Sequence, residues 1–356
     1  MSKSVAVVGA GIVGLMAALE ASRAGAKVEV YDEARQPGRG ASGHNAGVIH
    51  VLQPPFLNRK ARLARRANRL FDGLAEEAGF SLRRQPALLV YRNKASEKAL
   101  ALAAASLLRM LAYKVKIVGP GVFRDLCPDS EIRPGGAVYV EGYATVNPVE
   151  VLEALRGLLE SRGVEFHLGV RVDSLRVGPP GEGVEIRSEL GERRYTAAVV
   201  AAGPDTMRLA RSAGLHPPRV GFYKGVMAVA RLNCDAIAAE IRSSRRTRKT
   251  KGGGVIPWPD GRVILGPTFA RVSDPWDTSF TREELVEAAE AYRGILGFTP
   301  EVREGLAGTR VKNEEKDDFY TARRGRAVFL GAIDSPGFTA SPLLARWAVT
   351  TALGDL

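Results

Sequence analysis

The chain has 356 residues, of which 45% are hydrophobic, and its formal net charge is +12 at pH 7. This length and apolar content predict a globular chain of one large or two moderate domains with a packed core. No apolar run approaches the roughly 20 residues that a membrane-spanning helix needs. Residues 1–4 lead directly into a first strand, which leaves no room for a cleavable signal peptide. We therefore expect a cytoplasmic protein, with peripheral contact at the inner face of the membrane as an alternative.

The positive charge is concentrated in two runs, residues 59–69 and 245–251. Such runs are most often solvated faces or loops, and attraction of anionic substrates or of an anionic membrane surface is the functional alternative. We expect no nucleic-acid partner, because neither run is interleaved with stacking aromatic residues. Cys127 and Cys234 lie far apart without a metal-ligand pattern. They predict neither a disulfide framework nor a zinc or other metal site.

The first 32 residues have the order strand, glycine turn, helix, strand and acidic residue. Gly9 ends an apolar strand, Gly11 lets the backbone approach a pyrophosphate, and Gly14 allows close packing of helix on strand. Phosphates are favoured at such a helix N-terminus, where free N–H groups and the helix dipole attract anions. Asp32 ends the second strand, where its carboxylate can accept the hydroxyls of an adenosine ribose. This pattern predicts a dinucleotide-binding unit.

The rest of the chain predicts further elements by apolar pattern, caps and glycine or proline punctuation. They are, in order, a glycine-rich loop at 38–47, a basic helix at 57–79, a strand at 86–91, a helix at 97–113, a strand at 138–140, a helix from Pro148 to Arg162 capped by Asn147, extended segments at 164–167 and 170–172, a buried strand at 195–201, a strand-rich region at 221–270, a helix at 281–296 with a Thr281–Glu284 capping box, a strand at 327–331 and a closing helix from Leu343.

Elements typical of a dinucleotide-binding domain thus occur at the start, middle and end of the chain, separated by strand-rich insertions. We predict an α/β fold with a discontinuous, doubly wound, Rossmann-like domain at 1–80, 141–215 and 318–356. A second, mixed-sheet α+β domain that covers the cofactor is predicted at 81–140 and 216–317.

FAD is the dinucleotide that this pattern favours. FAD is long, so it requires contacts far from the first turn. Three distant segments contain glycines that would let the backbone approach the cofactor closely, at 40–47, 201–204 and 331–339. A second Gly-x-Gly-x-x-Gly motif, which would indicate NAD in addition, is absent from the sequence.

Several segments resemble the D-amino-acid oxidase superfamily, and within it the branch of L-2-hydroxyglutarate dehydrogenase and anaerobic glycerol-3-phosphate dehydrogenase. The resemblance rests on segments in family order along nearly the whole chain: 42–50, 60–63, 223–225, 261–268, 308–310, 318–319 and 331–341. It implies the fold and FAD. The chain departs from the family pattern at Asp32, where a glutamate is usual, and at 51–53 and 311–312, which fall near the substrate pocket.

The glycine fingerprint and the resemblance together predict a set of FAD-binding residues. These are Gly9, Gly11, Ile12, Val13, Gly14, Asp32, Glu33, Ser42, Gly43, His44, Asn45, Ala46, Gly47, Val48, Val172, Ala202, Gly203, Gly331, Asp334, Gly337, Phe338 and Thr339.

Four further residues are candidates for catalysis or substrate binding. The resemblance places His50 beside the flavin ring, where it can take a hydroxyl proton, and Arg310 where relatives bind a substrate carboxylate. Lys224 and Tyr223 begin a strand expected to face the flavin, with Lys224 as an anion ligand. The structural alternatives are a histidine that only hydrogen-bonds the flavin, an interdomain salt bridge of Arg310 and an ordinary edge-strand lysine.

These observations predict an FAD-dependent dehydrogenase that oxidises the CH–OH group of a small anionic L-2-hydroxy acid, such as 2-hydroxyglutarate or lactate. A quinone or dye-type acceptor would receive the electrons. The alternatives are oxidation of sn-glycerol 3-phosphate, oxidation of an amino acid, and a role as the FAD subunit of a membrane-associated electron-transfer complex.

Overall fold

The computed structural model describes residues 3–179, 182–241 and 253–354. Its strands, numbered along the chain, are β1 (Ser4–Val8), β2 (Lys27–Asp32), β3 (Val48–Ile49), β4 (Arg83–Tyr91), β5 (Val115–Val118), β6 (Gly136–Thr145), β7 (Glu165–Leu168), β8 (Val172–Val177), β9 (Val184–Ser188), β10 (Gly191–Tyr195), β11 (Ala197–Val200), β12 (Val220–Ala230), β13 (Ile237–Glu240), β14 (Gly254–Pro257), β15 (Val263–Gly266), β16 (Ala270–Val272), β17 (Glu304–Asn313), β18 (Tyr320–Arg324) and β19 (Ala327–Gly331).

The helices are α1 (Ile12–Arg23), α2 (Arg59–Ala67), α3 (Leu70–Ala78), α4 (Ala95–Met110), α5 (Pro120–Leu126), α6 (Pro148–Ser161), α7 (Thr206–Ser212), α8 (Arg282–Glu290), α9 (Arg293–Leu296) and α10 (Gly337–Leu353), with a 3-10 turn at Gly203–Asp205. Among the residues described, no helix is both long and apolar enough to cross a bilayer.

A six-stranded sheet has the order β18-β19-β11-β1-β2-β7 and is parallel except for the β18–β19 pair. Its central strands are apolar on both faces because each face is covered. Helices α1, α6 and α10 contribute to the core on one face, and the β8–β9–β10 sheet with α7 contributes to the core on the other. This arrangement confirms the predicted α/β fold of the cofactor-binding part.

A ten-stranded sheet has the order β16-β12-β15-β14-β13-β4-β6-β3, with β17 paired to β12 and β5 paired to β6. One face packs on α5, α8 and α9, and the other carries α4 and turns towards the first sheet. The mixed-sheet second part is therefore confirmed as a fold class. Its predicted limits stay a prediction, and the ten-stranded sheet also includes β3 and the last residues of β6, within ranges predicted for the first domain.

Several predicted element limits were wrong. The helix predicted at 57–79 is two helices, α2 and α3, separated at the buried Asn68, whose side chain donates to the carbonyls of Ile49 and His50. The helix predicted at 281–296 is α8 and α9, although its Thr281–Glu284 capping box is present as predicted. The closing helix begins at Gly337, six residues before the predicted Leu343.

The strand predicted at 195–201 contains the end of β10 at Tyr195 and the start of β11 at Ala197. Tyr195 and His167 both hydrogen-bond Glu29, at 2.7 Å and 2.9 Å. Burial of Glu29 opposes its ionisation, but these bonds and others from Tyr31 and Arg193 hold its pKa at about 2. His167 therefore helps to hold this buried carboxylate in place.

The two cysteines form a disulfide, Cys127–Cys234, which contradicts the prediction of two unlinked thiols. Cys127 follows α5 and Cys234 precedes β13, and both side chains are buried. The link joins segments 107 residues apart in sequence. Sequence spacing cannot indicate this contact, because the pairing of β4 with β6 and β13 creates it.

We predict that neither cysteine reacts with an alkylating reagent in denaturant until a reductant is added. Because the disulfide closes a long loop, its reduction should lower the free energy of unfolding by about 2–4 kcal/mol in urea titrations. Alkylation of both thiols in denaturant without reductant would contradict the disulfide, and the variant with both cysteines replaced by serine serves as the unlinked reference.

Candidate functional site

A cavity of about 710 Å³ lies between the two large sheets. Its walls include residues at the carboxyl ends of four parallel strands: Gly9 after β1, Asp32 of β2, Ala201 after β11 and Gly331 of β19. Ligands of open α/β sheets bind at this edge. The opposite wall comes from β12 and β17 of the ten-stranded sheet, so the cavity is closed by both parts of the fold.

The N-terminus of α1 opens on this cavity at Gly11, Ile12 and Val13. Gly11 is the N-cap and provides no side-chain hydrogen bond, while the Ile12 N–H donates to Ser42 Oγ at 3.1 Å. A Cβ at Gly11 would lie 3.0 Å from the same oxygen. The glycine therefore allows the loop to approach the helix, and the first turn keeps N–H donors for a phosphate.

Asp32 is held by two backbone donors at the end of β2. Its carboxylate oxygens accept the N–H of Ala10 at 2.6 Å and of Ala34 at 2.8 Å. Burial raises the pKa of Asp32, while these two donors and the charge of Arg39 act in the opposite direction. Each oxygen keeps a further lone pair, so the group can still accept the ribose hydroxyls of the prediction.

Most of the predicted FAD-binding residues line the cavity. Those that do are Gly9, Gly11, Ile12, Val13, Asp32, Glu33, Ser42, His44, Asn45, Ala46, Val48, Val172, Ala202, Gly203, Gly331, Asp334, Gly337, Phe338 and Thr339. The loop at 40–47 is fixed by its own bonds, from Asn45 Nδ2 to two backbone carbonyls and between His44 Nδ1 and the Gly40 carbonyl.

Gly14, Gly43 and Gly47, also predicted to bind FAD, do not line the cavity. A Cβ at Gly14 would lie 1.8 Å from the Gly9 carbonyl oxygen, and one at Gly47 would lie 2.0 Å from that of Val146. Gly43 uses its N–H for the Gly38 carbonyl. These three glycines therefore shape the walls by permitting close backbone packing.

His50 follows β3 and lines the cavity. Its N–H donates to Thr339 Oγ1 at 3.0 Å, and its carbonyl accepts from Asn68 at 3.3 Å, so α10 and Asn68 fix its backbone. In the described part of the chain, neither imidazole nitrogen has a hydrogen bond within the protein. Burial lowers the pKa of His50 to about 4, which leaves the ring neutral and able to accept a proton at neutral pH.

Arg310 lines the same cavity from β17. It is the cross-strand partner of Tyr223, and its guanidinium lies 5.8 Å from the ring centre of Phe269. A Cβ at Gly225 would lie 2.7 Å from Arg310 Nη2, so the glycine makes room for this side chain. Within the described ranges, no carboxylate lies within 4.0 Å of the guanidinium. Burial lowers its pKa, against the charge of Asp334.

Lys224 is not a ligand of the cavity, which contradicts the prediction. Its ammonium lies 3.1 Å from Asp277 and 3.3 Å from Glu284, and it donates to the Ser279 carbonyl at 3.2 Å. Side chains alternate along a strand, and the lysine therefore faces α8 while its neighbour Tyr223 faces the cavity. Two carboxylates already compensate its charge.

Tyr223 lines the cavity as predicted, stacked on Phe269 with ring centres 4.7 Å apart. Its hydroxyl donates to Glu314 at 3.2 Å. Phe269 was missed by the sequence analysis, since it lies in an irregular segment with no pattern of its own. The basic run at 245–251 lies outside the described residues.

Lys60 also lines the cavity, although the sequence analysis treated it only as part of the basic run. It is buried, and its ammonium lies 2.6 Å from Asp334 and 3.2 Å from Asp317. Burial raises the pKa of Asp334, while the adjacent Lys60 lowers it. The buried positions 60, 61, 64 and 67 share one face of α2. This helical periodicity could have indicated that Lys60 is buried, within a run in which the other cations are at least partly exposed.

The uncapped α1 N-terminus, the Asp32 carboxylate and the long cavity between the sheets define a dinucleotide-dependent oxidoreductase site, and its shape and donors fit FAD. Residues 4–351 match the DAO family, FAD dependent oxidoreductase. The chain therefore belongs to the DAO family of FAD-dependent oxidoreductases, and its cofactor is FAD.

Among curated proteins, the chain is 22% identical to a glycerol 3-phosphate dehydrogenase of Caloramator mitchellensis, over 97% of this chain and 72% of that protein. It is 27% identical to a glycine oxidase of Pseudomonas aeruginosa, over 84% of this chain and 81% of that protein. A solved structure of L-α-glycerophosphate oxidase from Mycoplasma pneumoniae with FAD bound has a TM-score of 0.84 at 20% identity, over 99% of this chain and 95% of that one. The glycerol 3-phosphate dehydrogenase and the glycerophosphate oxidase fit the branch that the sequence resembles.

We predict that Asp32→Ala weakens FAD binding by about 10–100-fold, because hydrogen bonds to a charged group contribute about 1.5–3 kcal/mol. Fluorescence titration of the apoprotein with FAD measures the dissociation constant. Glu165→Ala, which removes a half-exposed carboxylate from the neighbouring strand β7, is the matched control and should bind FAD normally. Equal affinity in the two variants would contradict the role of Asp32.

Proposed function

We propose that the protein is an FAD-dependent dehydrogenase that oxidises a small anionic L-2-hydroxy acid, 2-hydroxyglutarate-like or lactate-like, to the 2-oxo acid. The observation that supports this proposal is that two residues with side chains available to a substrate line the same cavity. Arg310 supplies a guanidinium with no carboxylate in contact among the described residues, and His50 supplies a neutral imidazole.

In this proposal Arg310 binds the substrate carboxylate. A guanidinium forms two parallel hydrogen bonds to a carboxylate, which fixes the orientation of the attached α-carbon. The positive charge is partly shielded from water, so its interaction with an anion is stronger than on an open surface. Tyr223, Phe269 and Gly225 support the guanidinium and limit its rotation.

His50 then takes the hydroxyl proton as the carbonyl forms. Its neutral ring is ready to accept, and the bonds to Thr339 and Asn68 hold its backbone in place. Bound FAD would supply the two-electron oxidant for the α-carbon. The N-terminus of α10, at Gly337, also opens on the cavity, and its dipole would favour a negative charge there. A quinone or dye-type acceptor is proposed to reoxidise the enzyme.

Oxidation of sn-glycerol 3-phosphate is the second candidate, and Lys312 favours it. Lys312 lies two residues from Arg310 on β17, so both cations lie on one face of the strand, and both line the cavity. Two cations suit a phosphate dianion better than a single carboxylate. Lys312 is only loosely paired, 3.7 Å from Asp317. Amino-acid oxidation would use Arg310 but would need no hydroxyl base.

We predict that anaerobic mixing of the holoenzyme with a panel of L- and D-2-hydroxy acids, sn-glycerol 3-phosphate and amino acids bleaches the flavin with an L-2-hydroxy acid. Arg310→Met should lower kcat/KM for that substrate by about 10²–10³-fold, because two charge-assisted hydrogen bonds are lost. Arg310→Lys, which keeps the charge but not the planar fork, should recover only part of the loss. Bleaching by glycerol 3-phosphate alone would replace the proposal with the second candidate.

His50→Asn should slow flavin reduction by about 10²–10⁴-fold, the usual contribution of a general base. Stopped-flow absorbance measures this step directly. His216→Asn, at an exposed position remote from the cavity, is the control and should reduce its flavin at the normal rate. Undiminished reduction in His50→Asn would exclude His50 as the base and would favour amine oxidation.

The pH dependence follows from the low pKa of His50. A base acts only when unprotonated, so kcat/KM should rise with pH through the pKa and stay constant above it. With the pKa lowered to about 4 by burial, activity at pH 5–6 should stay near its maximum. A rise centred at about 6.5, the ordinary histidine value, would contradict the buried geometry.

A further inference from the structure

Helix α4 has apolar side chains on both of its faces, although only one face is covered. Ala101, Ala105 and Leu108 are buried against the ten-stranded sheet. On the outer face, Leu102 is 49% exposed, Leu107 is 45% exposed and Met110 is 84% exposed, and Leu100 is exposed as well. A helix that is apolar all round normally lies inside a protein or against lipid.

The C-terminal end of α4 adjoins α2, the helix that carries the basic run. Arg65 donates to the carbonyls of Leu111 and Ala112, at 2.8 Å and 2.5 Å. Arg62 and Arg66 are exposed on one face of α2, and Arg69 is exposed in the link between α2 and α3. An apolar helix face therefore lies beside a row of arginines.

The sequence segments that form this pair of helices carry mostly positive charge, although Arg59, Lys60 and Arg92 are paired with carboxylates of other segments. Residues 59–69 contain six cations and no carboxylate, and residues 92–117 contain six cations and one carboxylate, Glu97. Glu97 accepts the backbone N–H of Arg92 at 2.7 Å. We call the outer face of α4 together with Arg62, Arg66 and Arg69 the α4 surface.

We propose that the α4 surface docks on an anionic lipid bilayer, with the leucines and Met110 in the interface and the arginines at the headgroups. Apolar side chains flanked by Lys and Arg are the chemistry that binds helices in the plane of a membrane. A second copy of this chain fits less well, because a self-complementary contact would bring the same cations together. A nucleic acid would bind the arginines but would leave the exposed leucines without an apolar partner.

The position of the surface suits a dehydrogenase whose acceptor is a quinone. The chain passes from cavity-lining residues at Gln53–Pro55 through Leu57, which is 68% exposed, into α2. Docking would thus hold this side of the cavity near the bilayer in which quinones dissolve. A quinone there would take two electrons and two protons from the reduced enzyme and leave as the quinol. Binding to lipid itself requires no turnover and does not depend on the identity of the substrate.

The first test is sedimentation of the holoenzyme with vesicles of phosphatidylglycerol and phosphatidylcholine, against vesicles of phosphatidylcholine alone. We expect binding to the anionic vesicles, reduced at about 1 M salt, where the Debye length falls to about 3 Å. Equal binding to the two kinds of vesicle, or none to either, would overturn the proposal. Self-association that Leu102→Ser/Leu107→Ser abolishes would assign the surface to a second copy instead.

Two matched pairs of variants locate the surface. Leu102→Ser/Leu107→Ser should weaken vesicle binding by about tenfold or more, since both side chains leave the apolar interface. Val149→Ser/Leu190→Ser is the control, because these residues are 46% and 47% exposed elsewhere on the molecule. Arg62→Glu/Arg66→Glu/Arg69→Glu should weaken binding by about 10²-fold or more. Its control is Arg176→Glu/Arg219→Glu/Arg303→Glu, at side chains 80%, 85% and 80% exposed.

A second readout separates docking from catalysis. Leu102→Ser/Leu107→Ser should keep its activity with a water-soluble dye but lose activity with a quinone embedded in anionic vesicles. Absence of dye-linked activity of the wild-type protein with every 2-hydroxy acid would count against the proposed function. Vesicle binding would still test the α4 surface in that case. Equal use of vesicle quinone by this variant and by Val149→Ser/Leu190→Ser would overturn the docking site.

Discussion

The placement of the Arg310 guanidinium is the constraint on which the functional site depends. A cation partly removed from water is costly unless an opposite charge accompanies it, and the described structure places no carboxylate in contact with this one. Asp334 acts on Arg310 only electrostatically and without direct contact, and its carboxylate is paired with Lys60 at 2.6 Å. The proposed binding of an anionic substrate would place an opposite charge next to this guanidinium.

Glycines make this arrangement sterically feasible on the covering sheet. Gly225 leaves space for Arg310 on the neighbouring strand, and a Cβ at Gly308 would lie 2.3 Å from the His44 carbonyl oxygen. The missing side chain at Gly225 leaves room for the guanidinium, and the missing side chain at Gly308 lets the loop of residues 40–47 approach β17. The same strand pair therefore brings together Arg310, the proposed anion ligand, and the loop that leads to His50. Cofactor binding and substrate binding are in this way parts of one packed interface.

The residues at the adenosine and pyrophosphate end of the cofactor site were predictable because they act within a short stretch of sequence. Residues near the proposed substrate were less predictable, because their positions depend on which face of a strand they occupy and on contacts between distant segments. Gly9, Gly11 and Asp32 act within one strand-helix-strand unit, so their spacing was sufficient to predict their positions. Tyr223 and Lys224 are neighbours on β12, and nothing in their sequence indicates which of them faces the cavity, so Lys224 was assigned wrongly. The Cys127–Cys234 link and the Lys60–Asp334 pair were likewise missed, because each joins distant segments whose approach is decided by the sheets.

The most direct test of the central claim, that Arg310 binds the substrate anion beside the flavin, is a titration of the oxidised holoenzyme with unreactive 2-oxo acids. Binding is followed by the visible difference spectrum of the flavin. The account predicts that pyruvate or 2-oxoglutarate perturbs the spectrum, that Arg310→Met weakens this binding by about 10²-fold, and that the corresponding methyl esters bind both proteins equally weakly. Equal affinity of the wild-type protein and Arg310→Met for the free acids would contradict it.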